Sequence, residues 1–231
     1  MKKLTLLVLS CFSLGQVLGQ VFSSENNYLI DNLNSVIDLK NSTDFDKRDE
    51  LIEGSRYYDK EFAKSSVMLK DGKWYSELML RYDAYEDLFE IKQNDKIMML
   101  PSSADITKIV MNNDTIIPIK VKVGNKEIYR NYYQVEKGEL SLYIRRAKTF
   151  VDAQKPRGYE DAKPAKFVDV KDEYYWTKKG QNDLQKVGNK KSTAAYLPEI
   201  DVLTYLKKEK VSLNKIEGLT KFVNHYNNSI K

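Results

Sequence analysis

Apolar and polar positions along this chain change their spacing three times. Leu4 to Leu18 is an almost unbroken apolar or small run without charge. Residues 20–53 are polar and rich in Asn and Asp, with apolar points at Leu29, Ile30, Leu33, Val36 and Ile37. The spacings 29, 33, 36 and 30, 33, 37 suit a helix, with a short strand as the alternative. From about residue 56 the pattern becomes strand-like. Runs rich in Val, Ile, Tyr and Phe are separated by turn residues. In the last 35 residues the spacing is helical again.

The strand-like stretch resolves into successive runs. Ser66–Leu69 and Trp74–Tyr82 flank Asp71-Gly72, a strong hairpin signal because a type I′ turn needs positive φ at both central residues. Leu88–Lys92 and Lys96–Leu100 flank Gln93-Asn94-Asp95. Ile106–Met111 and Thr115–Val123 flank Asn112-Asn113-Asp114. In Thr115–Val123, Ile117, Ile119, Val121 and Val123 alternate with Pro118, Lys120 and Lys122, the mark of a half-buried strand. Pro118 cannot donate to a ladder and must sit at an edge or a bulge. Gly124-Asn125 leads into Glu127–Val135. Glu139–Val151 reads as one long strand, and Ala165–Val170, Glu173–Thr177 and Asp183–Val187 as three more, the last of them equally compatible with a helical turn.

Turns at this frequency predict a mainly β fold: an antiparallel meander of about ten strands forming a sandwich or partly closed barrel. Two short C-terminal helices follow. One starts at Pro198-Glu199 with Ile200, Leu203 and Leu206 as its stripe. The other carries Ile216, Leu219, Phe222, Val223 and Tyr226 behind a capping box of Asn214 and Glu217. The expected division is a signal peptide at 1–19, a polar segment at 20–53, an antiparallel β domain at 54–190 and a helical segment at 191–231.

Composition changes this picture in two ways. Met1-Lys2-Lys3 ahead of the apolar run, with a polar stretch from Ser23, is the layout of a secretory signal peptide cut after Gly19 to leave Gln20. The run is too short to span a bilayer comfortably. Competing readings are a retained anchor and a lipidated Cys11, since Val8-Leu9-Ser10-Cys11 loosely resembles a lipobox. Cys11 is the only cysteine, so the mature chain has no disulfide. An exported chain of this size without one fits a bacterial periplasm or cell surface. The expected location is therefore secreted or periplasmic, with no transmembrane span in the mature chain.

Charge excludes more than it suggests. Lys+Arg is 38 and Asp+Glu is 33, and loss of Lys2 and Lys3 with the leader takes two charges off the net +5. The basic residues are dispersed, so no nucleic-acid partner is expected.

His225 is the only histidine, which leaves Ser-His-Asp catalysis this one residue and denies zinc a Cys/His ligand set. No phosphate loop or dinucleotide fingerprint is present, and no cofactor is expected. The densest acidic cluster is Asp83, Glu86, Asp87 and Glu90. Paired carboxylates there would suit a glycosidase, or calcium, although the spacing fits no calcium loop and such a cluster is more often a turn with solvated acids. Ten of the sixteen tyrosines gather in two groups. One is Tyr57, Tyr58, Trp74, Tyr75, Tyr82 and Tyr85; the other is Tyr129, Tyr132, Tyr133, Tyr174, Tyr175 and Trp176. Tyrosine suits a half-buried strand face, and an exposed aromatic face also holds sugars or peptides. The candidate binding residues are Trp74, Arg81, Tyr82, Asp83, Tyr85, Glu86 and Asp87. No catalytic or metal residues are assigned.

Two stretches carry a resemblance. One is Gly54-Ser55-Arg56-Tyr57-Tyr58-Asp59-Lys60-Glu61-Phe62, continuing through Lys70-Asp71-Gly72-Lys73 to Leu80-Arg81-Tyr82-Asp83-Ala84-Tyr85-Glu86-Asp87. The other is Leu203 to Tyr226. Together they resemble uncharacterised secreted β-rich proteins of Bacteroidetes-type bacteria, with Asp83 standing where that pattern has Asn. The resemblance implies export, a β-rich body and a short helical end, and carries no catalytic residue. The function expected is a non-enzymatic binding or structural protein of the cell envelope, its partner an envelope protein, a glycan or a small ligand. The alternative is a carboxylate-dependent hydrolase such as a glycosidase.

Overall fold

The computed structural model describes residues 52–93, 96–100, 102–103, 105–156, 161–181 and 183–230. The leader, Cys11 and the polar segment up to Leu51 lie outside the described residues.

Among the described residues twelve strands and three helices follow one another. The strands are β1 (Ala63–Leu69), β2 (Trp74–Asp83), β3 (Leu88–Gln93), β4 (Lys96–Leu100), β5 (Ile106–Met111), β6 (Asp114–Val123) and β7 (Lys126–Glu136), then β8 (Leu140–Arg145), β9 (Lys148–Val151), β10 (Lys166–Asp169), β11 (Glu173–Lys178) and β12 (Gln185–Lys186). The helices are α1 (Lys190–Tyr196), α2 (Val202–Lys208) and α3 (Ile216–Ser229). The fold is mainly β, with helices at its C-terminal end.

Ten strands form one antiparallel sheet in the order β12-β11-β8-β7-β6-β5-β1-β2-β3-β4, and β9 pairs with β10 in a separate ribbon. Most neighbours are consecutive, as in a meander. There are two exceptions: β11 pairs with β8, the β9–β10 ribbon being set aside between them, and β1 pairs with β2 on one side and β5 on the other. The connection from β4 to β5 is residues 101–105, yet three strands separate its ends in the sheet. A flat sheet would demand a stride of about 19 Å, close to the full reach of those residues. Curling shortens the path. Leu100 of β4, Leu80 of β2, Ile116 of β6 and Ile144 of β8 share one buried cluster, so the sheet wraps around its own apolar face. It does not close: β4 and β12 are its two ends.

A second core lies between the sheet and the helices. Leu140, Leu142 and Trp176 meet Leu197, Val202, Leu206, Leu219, Phe222 and Val223 there. The Asn227 side chain completes the seam. Its amide donates to Leu140 O at 3.0 Å and its oxygen accepts from Leu140 N at 2.7 Å, in the manner of a neighbouring strand. Gly138 permits this approach, because a Cβ there would stand 2.4 Å from Asn227 Nδ2.

Several local expectations are refined. The run 139–151 is broken at Arg146-Ala147, and its two halves belong to different sheets. α2 starts at Val202, because the Asp201 carboxylate caps the Thr204 N–H at 3.1 Å. α1 is an additional helix, capped by Asn189. α3 has Lys215 at its N-cap with no side-chain cap bond, so Asn214 and Glu217 form no capping box. Among the described residues no helix is long and apolar enough to cross a membrane.

Candidate functional site

The segment 53–62 is a strap laid across one end of the sheet. It begins beside β10, where Glu53 N–H donates to Ala165 O and Phe167 N–H donates to Glu53 O. Gly54 follows with φ +84°, and any Cβ there would meet Phe167 O at 2.5 Å. The strap then reaches β2 through a bridge between Tyr57 and Asp83 and a bond from Ala84 N–H to Arg56 O.

Two buried ion pairs hold the strap down. Arg56 Nε lies 2.7 Å from Asp83 Oδ2, with both side chains almost fully enclosed, and Arg56 Nη2 lies 3.6 Å from Glu86. The other Asp83 oxygen accepts the N–H groups of Tyr85 and Glu86 at 3.0 Å each, which shapes the β2–β3 turn. Burial pushes the Asp83 carboxyl up to about 6 against the opposing pull of these N–H groups and Arg56.

Arg81 makes the second pair. Its Nε and Nη2 donate to Glu90 Oε2 at 2.9 and 2.6 Å, and its Nη1 donates to Lys60 O on the strap. The guanidinium lies between Tyr57 and Phe62, 3.9 and 4.5 Å from their ring centroids. Tyr57 donates its hydroxyl to Glu90 Oε1 at 2.9 Å, and burial with the Glu90 charge raises its phenol strongly. Asp87 has a separate task. Its Oδ1 accepts from Tyr82 OH at 2.7 Å and from Asn131 on β7. Burial raises the Asp87 carboxyl, partly offset by these donors.

Beside the strap opens a cleft of about 190 Å³. Tyr58, Asp59 and Glu61 come from the strap, Arg81 and Tyr82 from β2, Asn112 from the β5–β6 turn, Asp114 from the start of β6, and Tyr133 and Arg146 from the far wall. The Arg146 guanidinium sits 4.7 Å above the Tyr133 ring and 3.9 Å from Asp114. Tyr58 donates its hydroxyl to Ala147 O and keeps 43% of its surface exposed. A shallower groove of about 610 Å³ adjoins it, sharing Asp59, Glu61 and Asn112 and running past Lys64, Ser66 and Glu77. Asn112 and Asn113 hold φ of +50° and +68°, a conformation Asn tolerates, so the turn presents Asn112 at the junction of the two.

The seven residues singled out from the sequence are thus divided. Arg81 and Tyr82 line the cleft. Asp83, Tyr85 and Glu86 gather around Arg56, with Tyr85 5.7 Å from its guanidinium. Asp87 serves Asn131. Trp74 stands apart, 46% exposed, with Lys108 Nζ 5.5 Å from its ring. Among the described residues no group of three or more His, Cys, Asp or Glu side chains could hold a metal. His225 lies flat on Tyr205, ring centroids 3.8 Å apart.

Sequence reasoning missed Asp59, Asn112, Asp114 and Arg146 as cleft residues. The two tyrosine groups were the available signal, since Tyr58 and Tyr133 each come from one of them. No family model matches the chain, and no curated protein and no solved structure matches it either.

Proposed function

We propose that this is an exported, non-enzymatic binding protein of the cell envelope, and that its ligand is a glycan. The cleft receives one sugar unit and the adjoining groove carries the rest. The observation behind this reading is the make-up of the cleft: the Tyr58 ring, 43% exposed, set beside Asp59, Asn112, Asp114 and Arg146, with Tyr82 and Tyr133 buried beneath. Tyrosine faces suit the apolar side of a sugar ring, while carboxylates, amide and guanidinium suit its hydroxyls. Export is supported by the Met1-Lys2-Lys3 start and the apolar run behind it.

The carboxylate-hydrolase reading has weaker support. Asp83 has the raised carboxyl that a general acid needs, but its side chain is 2% exposed and both its oxygens are engaged.

The test is a titration of the protein with glucose, N-acetylglucosamine and their oligomers, followed by amide chemical shifts. Binding should move the amides of Asn112, Asn113 and Arg146 and tighten from monomer to oligomer. Arg146→Ala should weaken it by about tenfold or more. Shifts confined to residues away from the cleft, or none with any saccharide, would refute the ligand. A protein recovered from the cytoplasmic fraction of its host, with its mass still starting at Met1, would refute export.

A further inference from the structure

β6 and β7 pair at nine positions, from Thr115–Gln134 to Val123–Lys126. β5 accompanies β6 only as far as Ile116, and β8 joins β7 only from Tyr133. From Ile117 to Tyr132 the two strands therefore stand as a ribbon, with no further strand on either edge among the described residues. Pro118 falls at the start of the free β6 edge, where its missing N–H costs nothing. One face of the ribbon is largely apolar. Its apolar part is Ile117, Ile119, Val121 and Val123, with Tyr132 and Ile128 opposite Ile117 and Val121, while Arg130 and Lys126 stand opposite Ile119 and Val123 on the same face, and Val123 is 44% exposed. Ile117, Ile119, Val121 and Ile128 are half-buried and Val123 at the tip is exposed, and a two-stranded ribbon with so little cover is marginal by itself. The ribbon is also basic: Lys120, Lys122, Lys126 and Arg130 stand against Glu127 alone.

We propose that residues 25–51 of this same chain cover the ribbon. The segment has the complementary chemistry. It carries seven acidic side chains against three basic ones, and its apolar points include Leu29, Leu33, Val36 and Ile37. It also joins the fold at the ribbon's root. Glu53 is bonded to Phe167, the Tyr85 ring packs 5.3 Å from Phe167, and Asp87, two residues beyond Tyr85, binds Asn131 at the base of the ribbon. The free ribbon is about 23 Å long at strand rise, a distance that 27 residues cover easily. Attraction between the acids and the lysines sets the orientation, and apolar burial supplies the affinity.

The experiment is zero-length carbodiimide cross-linking of the full chain, read by mass spectrometry on a mixture of ¹⁴N- and ¹⁵N-labelled protein. The Lys120–Glu127 ion pair within the ribbon is the internal control. Links from Lys126, which shares the face of Val121 and Val123, to acids between Asp31 and Glu50, within one isotope, are expected. In the double variant Leu33→Asp, Ile37→Asp these links should fall about tenfold. Amide exchange at Lys120 to Ile128 should rise by a similar factor, while β1 to β5 exchange unchanged. Links between isotopes would assign the face to a second copy and overturn the proposal. So would ribbon lysines linked only to Glu127, or ribbon exchange that ignores the double variant.

Discussion

The Asp87 carboxylate accepts the backbone N–H of Asn131 at 3.2 Å, across 44 positions of sequence. That N–H points away from β6, where Asn131 faces Pro118. A carboxylate on the β2–β3 turn thus satisfies a β7 donor that no strand reaches. The Asn131 side chain completes the tie, donating to Asp87 Oδ1 and to the Asp87 carbonyl. It also reaches Ser102 in the β4–β5 connection. Three distant pieces of chain are joined at one buried residue.

Removing that carboxylate strands buried donors. Asp87→Ala leaves Tyr82 OH and Asn131 N–H without their acceptor, and should cost about 3 kcal/mol in urea unfolding. Asp87→Asn keeps an acceptor oxygen and tolerates the observed φ of +58°, so its cost should be about half as large.

Asp83 should make stability depend on pH. Its folded value of about 6 lies above the ordinary carboxyl value, so the native state holds this proton more tightly than the unfolded chain. The contribution is fully present below about pH 4 and is lost as pH rises through about 6. The side-chain carboxyl carbon should titrate with a midpoint near 6 by NMR. Asp83→Asn should flatten the stability profile between about pH 4 and 6.

β2 bulges opposite β1, where the register shifts between Ser65 and Val67, and Glu77 holds φ +59° there. Glycine adopts this conformation without strain. Glu77→Gly should change stability by less than about 1 kcal/mol, since relief of strain offsets added chain freedom. Glu77→Val should cost about 2 kcal/mol, a β-branched side chain being least tolerant of this backbone. Paired thermal unfolding curves would show the difference.

The two tryptophans should report separate regions. Trp176 is 1% exposed, within reach of Phe222 and Tyr196, whereas Trp74 is open to solvent. Trp74→Phe should leave a blue-shifted emission resistant to acrylamide. Phe222→Ala should cost about 4 kcal/mol and red-shift that emission by opening the helix–sheet core.

Local order was readable from residue spacing. Alternation in Thr115–Val123, the Asp71-Gly72 turn and the paired Asn112-Asn113 locate β1, β2, β5 and β6, because strand period and positive-φ turns are properties of neighbouring residues. The Asp71-Gly72 hairpin forms as expected but not as a type I′ turn, since Gly72 is at φ +85° and Asp71 is not at positive φ. The edge placement of Pro118 followed in the same way, from an N–H that proline lacks. The stripe of Leu219, Phe222, Val223 and Tyr226 likewise announced a helix with one buried face. Arg81 and Tyr82 were found for their polar and aromatic character alone.

What spacing could not convey is which distant segments meet. Nothing near β1 says that β5 will lie against it, because pairing across the sheet depends on how ten strands share one core. Asn112 looks like an ordinary turn residue, and Arg146 like one position of a long strand, until the curl of the sheet brings them to the Tyr58 side of the strap. Asp83, Glu86 and Asp87 read as one acidic cluster, yet the tertiary structure gives Asp83 to Arg56 and Asp87 to Asn131. Backbone geometry decides the one kind of feature within a few residues. The other is decided by burial, which has to find a partner for every charge it encloses.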